Sequence, residues 1–339
     1  MKIREGLLIV VAAAAIVALL VPGAALAAES PSNSADAAGG PLPTPPGQPD
    51  PPPQPSEPIL ALKLGGKDAK IRVGKHAKLF GTLRPWRPGQ QVTMTLLRGD
   101  RTVKKEIVPV TRGEGDAGHF GFRTPALVRP GRYTATAQLA GGAAGARSPK
   151  FKLKYASLHR GSKGKDVKLF NRLLGKQGYV PSKGRKFTGR TGRAVLAYRK
   201  VHGMAKTTRA TPGMFKTLAD GRGAYKLKHP GAGRHVEVNI GRQVMVLADK
   251  GRPRRTYHVS TGKASTPTVR GHFRFYRRQP GFNSVGMYYS VYFHGGYAIH
   301  GYPSVPATYP ASHGCVRTPI PDARSIYNWV SIGMSIYTY

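Results

Sequence analysis

Hydrophobic positions follow three rhythms along the chain. Between residues 59 and 155 they form short alternating or apolar runs, at 59–64, 71–73, 77–83, 92–97, 103–110, 120–123, 133–139 and 151–155. The breaks between them carry Arg87-Pro88-Gly89, Arg98-Gly99-Asp100 and Arg129-Pro130-Gly131. Runs of that length between turn residues predict an antiparallel β-sandwich. From 157 to 223 the period becomes helical. Val167, Phe170 and Leu174 share a face that ends at Gly178, and Ala194, Val195, Tyr198 and Val201 mark a second helix, N-capped by Thr191 and stopped at Gly203. Met214, Phe215 and Leu218 after Thr211-Pro212 make a third. From residue 234 to 339 strands return, at 235–240, 243–248, 255–260, 272–276, 290–293, 297–300 and 335–339. They are joined by one amphipathic helix over 321–330 through Ala323, Ile326, Tyr327 and Val330. The expected fold class is mainly β and multidomain.

The first 58 residues fit none of these patterns. Lys2 and Arg4 precede an apolar run from Leu7 to Val21, then Pro22, Gly23 and Ala25-Leu26-Ala27, which reads over residues 1–27 as a secretory signal. The run is shorter than the roughly 18–20 residues that span a bilayer, the alternative being an uncleaved anchor. Residues 28–58, with Pro41-Leu42-Pro43-Thr44-Pro45-Pro46 and Pro51-Pro52-Pro53, have the composition of a semi-rigid spacer or a disordered tether. The expected location is therefore outside the cytoplasm, in the cell envelope or beyond.

Charge narrows the partners. Of a net +39, residues 1–27 carry +1 and 28–57 carry −4, so the remainder carries +42. Such a field attracts nucleic acid, anionic lipid or phosphate-rich wall polymer. Export makes nucleic acid an unexpected partner and leaves anionic wall polymers. The region 157–223 alone holds 17 Lys and Arg against Asp166 and Asp220.

The first region resembles an immunoglobulin-like sandwich in architecture, and it carries no catalytic constellation; His76 and His119 sit alone near turns. The second, through Leu158, Gly161, Gly164, Val167, Leu173, Gly178-Tyr179, Thr191, Ala194-Val195, Tyr198, Gly203 and Leu218, resembles the three-helix peptidoglycan-binding module of bacterial wall enzymes.

Candidate chemistry concentrates in the third region. Cys315 is the only cysteine, so an internal disulfide is impossible, and the thiol is inert, paired between chains, or reactive. A thiol nucleophile needs a base, a group orienting that base, and N–H donors aimed at the oxyanion. Ile299-His300-Gly301-Tyr302 and Ser312-His313-Gly314-Cys315-Val316-Arg317 contain residues of those types, and an imidazole beside the thiol lowers its pKa toward thiolate at neutral pH. Two other readings compete. His294, His300, His313 and Cys315 could hold zinc, although the compact ligand pairs of zinc sites are missing. Ser304 or Ser312 could head a triad, with Asp249, Asp322 and Glu237 as the available acids but no nucleophile-elbow motif. No cofactor and no metal are expected.

His300-Gly301 followed by Ser312-His313-Gly314-Cys315-Val316-Arg317 resembles the signature of the L,D-transpeptidases, cysteine-dependent peptidoglycan cross-linking enzymes with a YkuD-type β-sandwich. The likeness extends through Val236-Glu237-Val238, Gln243–Leu247, Val259-Ser260-Thr261-Gly262-Lys263, Thr266-Pro267 and Gly271-His272-Phe273. The resemblance implies that Cys315 attacks a peptide-stem carbonyl and that His300, oriented by the Gly301 carbonyl, is the base. It places the N–H groups of Gly314 and Cys315, beside His313, at the oxyanion. Ser312 then supports the loop, and Arg317 engages a substrate carboxylate or forms an ion pair. Tyr288 and Tyr302 line the cleft or belong to the sheet's aromatic core. The partners are peptidoglycan stems, the product is a 3→3 cross-link or, with water as acceptor, a trimmed stem, and carbapenem-type β-lactams are expected to acylate Cys315. Thr318 stands where Met or Leu often follows the Arg.

Overall fold

A computed structural model describes residues 56–66 and 69–339; the signal-like segment and nearly all of the Pro-rich spacer lie outside the described residues. The first region folds as two sheets. One has the order β1 (Ile59–Leu64), β3 (Lys78–Arg84), β7 (Gly118–Arg123), β6 (Thr111–Arg112). The other has β2 (Lys70–Arg72), β10 (Phe151–Lys154), β8 (Arg132–Leu139), β4 (Gln91–Arg98), β5 (Arg101–Pro109), with β9 (Gly145–Arg147) paired to β8. Alternate residues point inward, so Leu79, Leu83, Val92, Met94, Leu96, Phe120 and Phe151 are buried between the sheets. Two corrections follow. β2 and β10 pair in parallel, so the sandwich is not purely antiparallel. The short strands β6 and β9 have no buried alternation and left no hydrophobic trace to read.

Three helices follow: α1 (Lys165–Lys176), α2 (Gly189–Val201) and α3 (Pro212–Ala219). Thr188, not Thr191, caps α2, its hydroxyl accepting from Arg190 N–H. Thr191 lies inside the helix, fully buried, and donates to Asn171 Oδ1 at 3.1 Å.

The last region has two sheets as well. The first runs β13 (Arg252–His258), β12 (Val244–Asp249), β11 (His235–Asn239), β19 (Ser335–Thr338), β14 (Gly271–Arg274). The second runs β15 (Arg277–Phe282), β16 (Tyr288–His294), β17 (Tyr297–Tyr302), β18 (Val316–Pro319), and α4 (Ile320–Tyr327) packs against β16 and β17. Val236, Met245, Leu247, Phe293, Ile299, Val316 and Ile336 belong to one buried core. The polar, proline-containing β15 escaped the sequence reading because its residues stay half-exposed or exposed.

The helices pack directly against the last region. Phe170, Leu174, Val195, Phe215 and Leu218 share one buried core with Val244 and Val246 of β12. Lys200 of α2 is buried at this junction, and its Nζ donates to the carbonyls of Gln243 (3.2 Å) and Val259 (3.1 Å). Burial, reinforced by the charge of Lys206, lowers its pKa from 10.5 to about 7. Between those values the unfolded chain holds a proton that the folded chain does not, so stability rises with pH across the window and the gain is gone below about 7. Between pH 7 and 9 this group is expected to contribute about 2 kcal/mol of increasing stability. Chemical unfolding of wild type and Lys200→Met at several pH values checks it, and equal slopes for the two proteins would count against the assignment.

Candidate active site

The two polar segments meet because β17 and β18 run parallel, with Ile299 opposite Val316 and His300 opposite Arg317. Cys315 immediately precedes β18 and falls beside Ala298. Residues in register share a face and alternate residues return to it, so Ala298, His300 and Tyr302 face the same way as Cys315 and Arg317.

His300 is buried, with Nδ1 3.0 Å from the Gly301 carbonyl oxygen. A carbonyl only accepts, so Nδ1 carries the proton and the neutral ring keeps its lone pair on Nε2. Burial drives the imidazole down to about 4; the bond to Gly301 opposes this and the Arg317 charge adds to it. Burial also pushes the half-buried Cys315 thiol up, against smaller pulls from Ala298 N–H and Arg317. The Cys315 thiol donates to the Gly296 carbonyl at 3.7 Å. The resting pair is therefore a neutral thiol and a neutral imidazole. This corrects the sequence expectation of a thiolate, because burial penalises the charged form of each group.

Backbone donors are arranged differently from the expectation. Ser312 Oγ donates to the Cys315 carbonyl at 2.5 Å and accepts from Gly314 N–H at 3.1 Å. Gly314 N–H is thus engaged within the loop, which leaves Cys315 N–H of the expected pair; His313 is exposed beside it. Thr268 Oγ1 donates to the Gly314 carbonyl at 2.7 Å, and Thr266 Oγ1 and Lys263 N–H donate to the Ser312 carbonyl. Gly314 itself has φ +119°, and a Cβ there would stand 2.4 Å from the Tyr297 ring. Gly314→Ala is expected to displace the nucleophile loop and lower kcat/KM by about 10²-fold, with a stability loss of about 1–3 kcal/mol. Steady-state kinetics beside thermal unfolding checks it; unchanged kinetics would remove the loop's geometric role.

The competing readings lack partners. Among the described residues no three His, Cys, Asp or Glu side chains converge as metal ligands. Of the acids available to a triad, Asp322 is held by Arg193 and Glu237 by His235 and Tyr339.

The model for the L,D-transpeptidase catalytic domain, YkuD, matches residues 233–337. A solved L,D-transpeptidase segment from Xylanimonas cellulosilytica is 30% identical, covering 54% of this chain and 97% of that one, with a TM-score of 0.48. Residues 233–337 belong to the L,D-transpeptidase catalytic-domain family. An Enterococcus faecium L,D-transpeptidase is 21% identical, over 32% of this chain and 50% of that one, with a TM-score of 0.29. One from Mycobacterium smegmatis is 14% identical, over 82% and 99%, also with a TM-score of 0.29. No curated protein matches the chain.

Within the L,D-transpeptidase domain the remaining site residues separate. Tyr302 stays with His300, their rings edge to face at 5.8 Å, and the Arg317 guanidinium lies 4.0 Å over the Tyr302 ring. Among the described ion pairs Arg317 has no acidic partner. Tyr288 takes the second of its two readings, among the aromatics of the sheet. It pairs with Gly301, whose face turns away from His300 toward α4, and its ring packs on Phe282 at 4.5 Å. A Cβ on Gly301 would lie 2.7 Å from Ala323 Cβ and 3.2 Å from Tyr288 Cβ, which places both on that far side.

Sequence reasoning missed the scaffold behind the cysteine loop. Gln243, at φ +54°, accepts from Thr261 N–H (2.8 Å) and donates to Thr261 Oγ1 (2.5 Å). The Thr261 carbonyl accepts from the N–H groups of Ala311 and Ser312. Since Lys200 holds the Gln243 carbonyl, hydrogen bonds run from α2 to the nucleophile loop. Gln243 and Thr261 stood inside matched motifs, but their type gave no hint of this task, and Lys200 read as one more surface charge.

Proposed function

We propose that the protein is an exported peptidoglycan L,D-transpeptidase that forms 3→3 cross-links through an acyl-enzyme on Cys315. The observation that carries this reading is the common face of His300 and Cys315 on the parallel pair β17 and β18, with Nδ1 committed to Gly301 and Nε2 open. Sγ attacks the carbonyl that joins the third stem residue to the fourth as Nε2 takes the thiol proton. Nε2 then returns that proton to the leaving amine of D-Ala, and a thioester remains. The side-chain amine of a second stem attacks the thioester and gives its proton to Nε2; the thiolate leaves and is reprotonated. Cys315 N–H is the donor nearest the developing oxyanion, and Arg317 supplies positive charge toward a substrate carboxylate. The helices, with the sequence features of a peptidoglycan-binding module, hold the wall near the site.

The test is intact-mass spectrometry of the chain with a disaccharide-tetrapeptide, with the adduct mapped by digestion. The expected result is a stem adduct, less D-Ala, on the peptide containing Cys315, followed by a cross-linked dimer. An adduct that yields only tripeptide would make the enzyme a carboxypeptidase, and no adduct with any stem would overturn the enzymatic reading.

A further inference from the structure

A cavity of about 1160 Å³ opens where the sandwich, the helices and the catalytic domain meet, away from the face that carries Cys315. Eight cationic side chains line it, among them Lys168 and Arg172 of α1, Lys183 and Arg185 of the following turn, Arg190 of α2 and Arg255 of β13. The one lining acid, Asp166, is already paired with Arg72 at 2.7 Å. None of the eight has an acidic partner among the described ion pairs. Lys165, Lys168 and Arg172 follow one another at i, i+3 and i+7, so like charges share one face of α1 opposite its buried Val167, Phe170 and Leu174. That spacing costs helix stability. A concave, low-dielectric setting focuses such a field on whatever anion enters.

The floor is of another kind. Val180 and Pro181 provide half-buried apolar surface, which suits the C–H faces of sugars and polyols. Tyr179, the only aromatic in the lining, is 3% exposed and offers no platform for stacking a nucleic-acid base. The volume exceeds that of an ordinary small-molecule pocket, roughly 300–1,000 Å³, and accommodates several linked units.

We propose that this three-domain cavity is a binding site for an anionic glycopolymer, a chain of sugars or polyols bearing phosphate or carboxylate groups. Two full-length variants test it, each lacking three exposed positive charges. One carries Lys168→Gln, Arg172→Gln and Arg185→Gln in the cavity; the control carries Lys63→Gln, Lys78→Gln and Lys105→Gln on the sandwich. Fluorescence anisotropy at about 0.15 M salt follows three labelled probes of equal charge: a poly(glycerol phosphate) oligomer, an oligogalacturonate and a single-stranded oligodeoxynucleotide. The cavity variant is expected to raise Kd for the phosphate or the carboxylate polymer by about tenfold or more and to lower the salt slope by about two to three. The control is expected to change Kd by less than about threefold. The polymer that loses affinity identifies the anionic group. Equal losses in both variants, no loss in either, or a loss confined to the oligonucleotide would overturn the site. Acylation of Cys315 is followed separately, so an inactive nucleophile and an empty cavity are distinguishable.

Discussion

Replacing His300 with Gln is expected to lower the rate of Cys315 acylation at pH 7 by about 10³-fold, within the range for removal of a positioned general base. The argument rests on the resting charge state. With the imidazole held down to about 4 and the thiol pushed up, the wild-type site holds a neutral base beside a protonated nucleophile across neutral pH. The wild-type rate should therefore rise as pH passes through about 4 and then stay level. The variant has no base on that face and must use the small fraction of free thiolate. Its rate should climb about tenfold per pH unit through the neutral range, so that the gap between the two proteins narrows toward alkaline pH. The same change alters acid stability. His300 in the folded state binds its proton only below about 4, against 6.5 when unfolded, so wild type loses stability as pH falls from 6.5 to 4 and the variant is spared that loss. Stopped-flow acylation across pH, with unfolding curves at the same values, measures both. Parallel pH profiles, or a variant within about threefold of wild type, would remove His300 from the proton path.

Asp322→Ala is expected to lower the free energy of unfolding by about 3–5 kcal/mol, the usual cost of breaking one side of a buried ion pair. Arg193 of α2 donates to Asp322 of α4 through Nε at 2.7 Å and Nη2 at 3.1 Å. The side chains are 24% and 6% exposed, so screening by water is weak. Without the carboxylate the guanidinium remains partly desolvated and unpaired. Asp322 also adjoins Ala323, which packs under Gly301, so the loss should reach the site and slow Cys315 acylation. A double-mutant cycle with Arg193→Ala, followed by urea unfolding, isolates the pair. A coupling below about 0.5 kcal/mol would mean that the contact behaves as a surface pair and does not clamp the helices.

The reach of the sequence can be judged on particular residues. Elements with a regular buried face were legible: α1 through Val167, Phe170 and Leu174, and β3 through its strict alternation. β6, β9 and β15 were not, because exposed or half-exposed strands owe their existence to a neighbour's backbone and not to their own side chains. At the helix ends Thr191 and Thr188 are equally good capping residues, and only the packing of Thr191 against Asn171 selects Thr188.

By itself the sequence determined the alternation of β, helical and β regions and the excess of positive charge. Both depend on local composition and short periodicity, whereas the pairing of Cys315 with His300 was implied by the family resemblance of the two motifs. The tertiary structure decided the rest: the β17 and β18 register that puts His300 and Cys315 on one face, the far side taken by Tyr288, the capture of Gly314 N–H by Ser312, and the insertion of Lys200 behind the loop. These depend on contacts between residues distant in the chain. Burial, which sets the neutral thiol and imidazole, exists only once those contacts close.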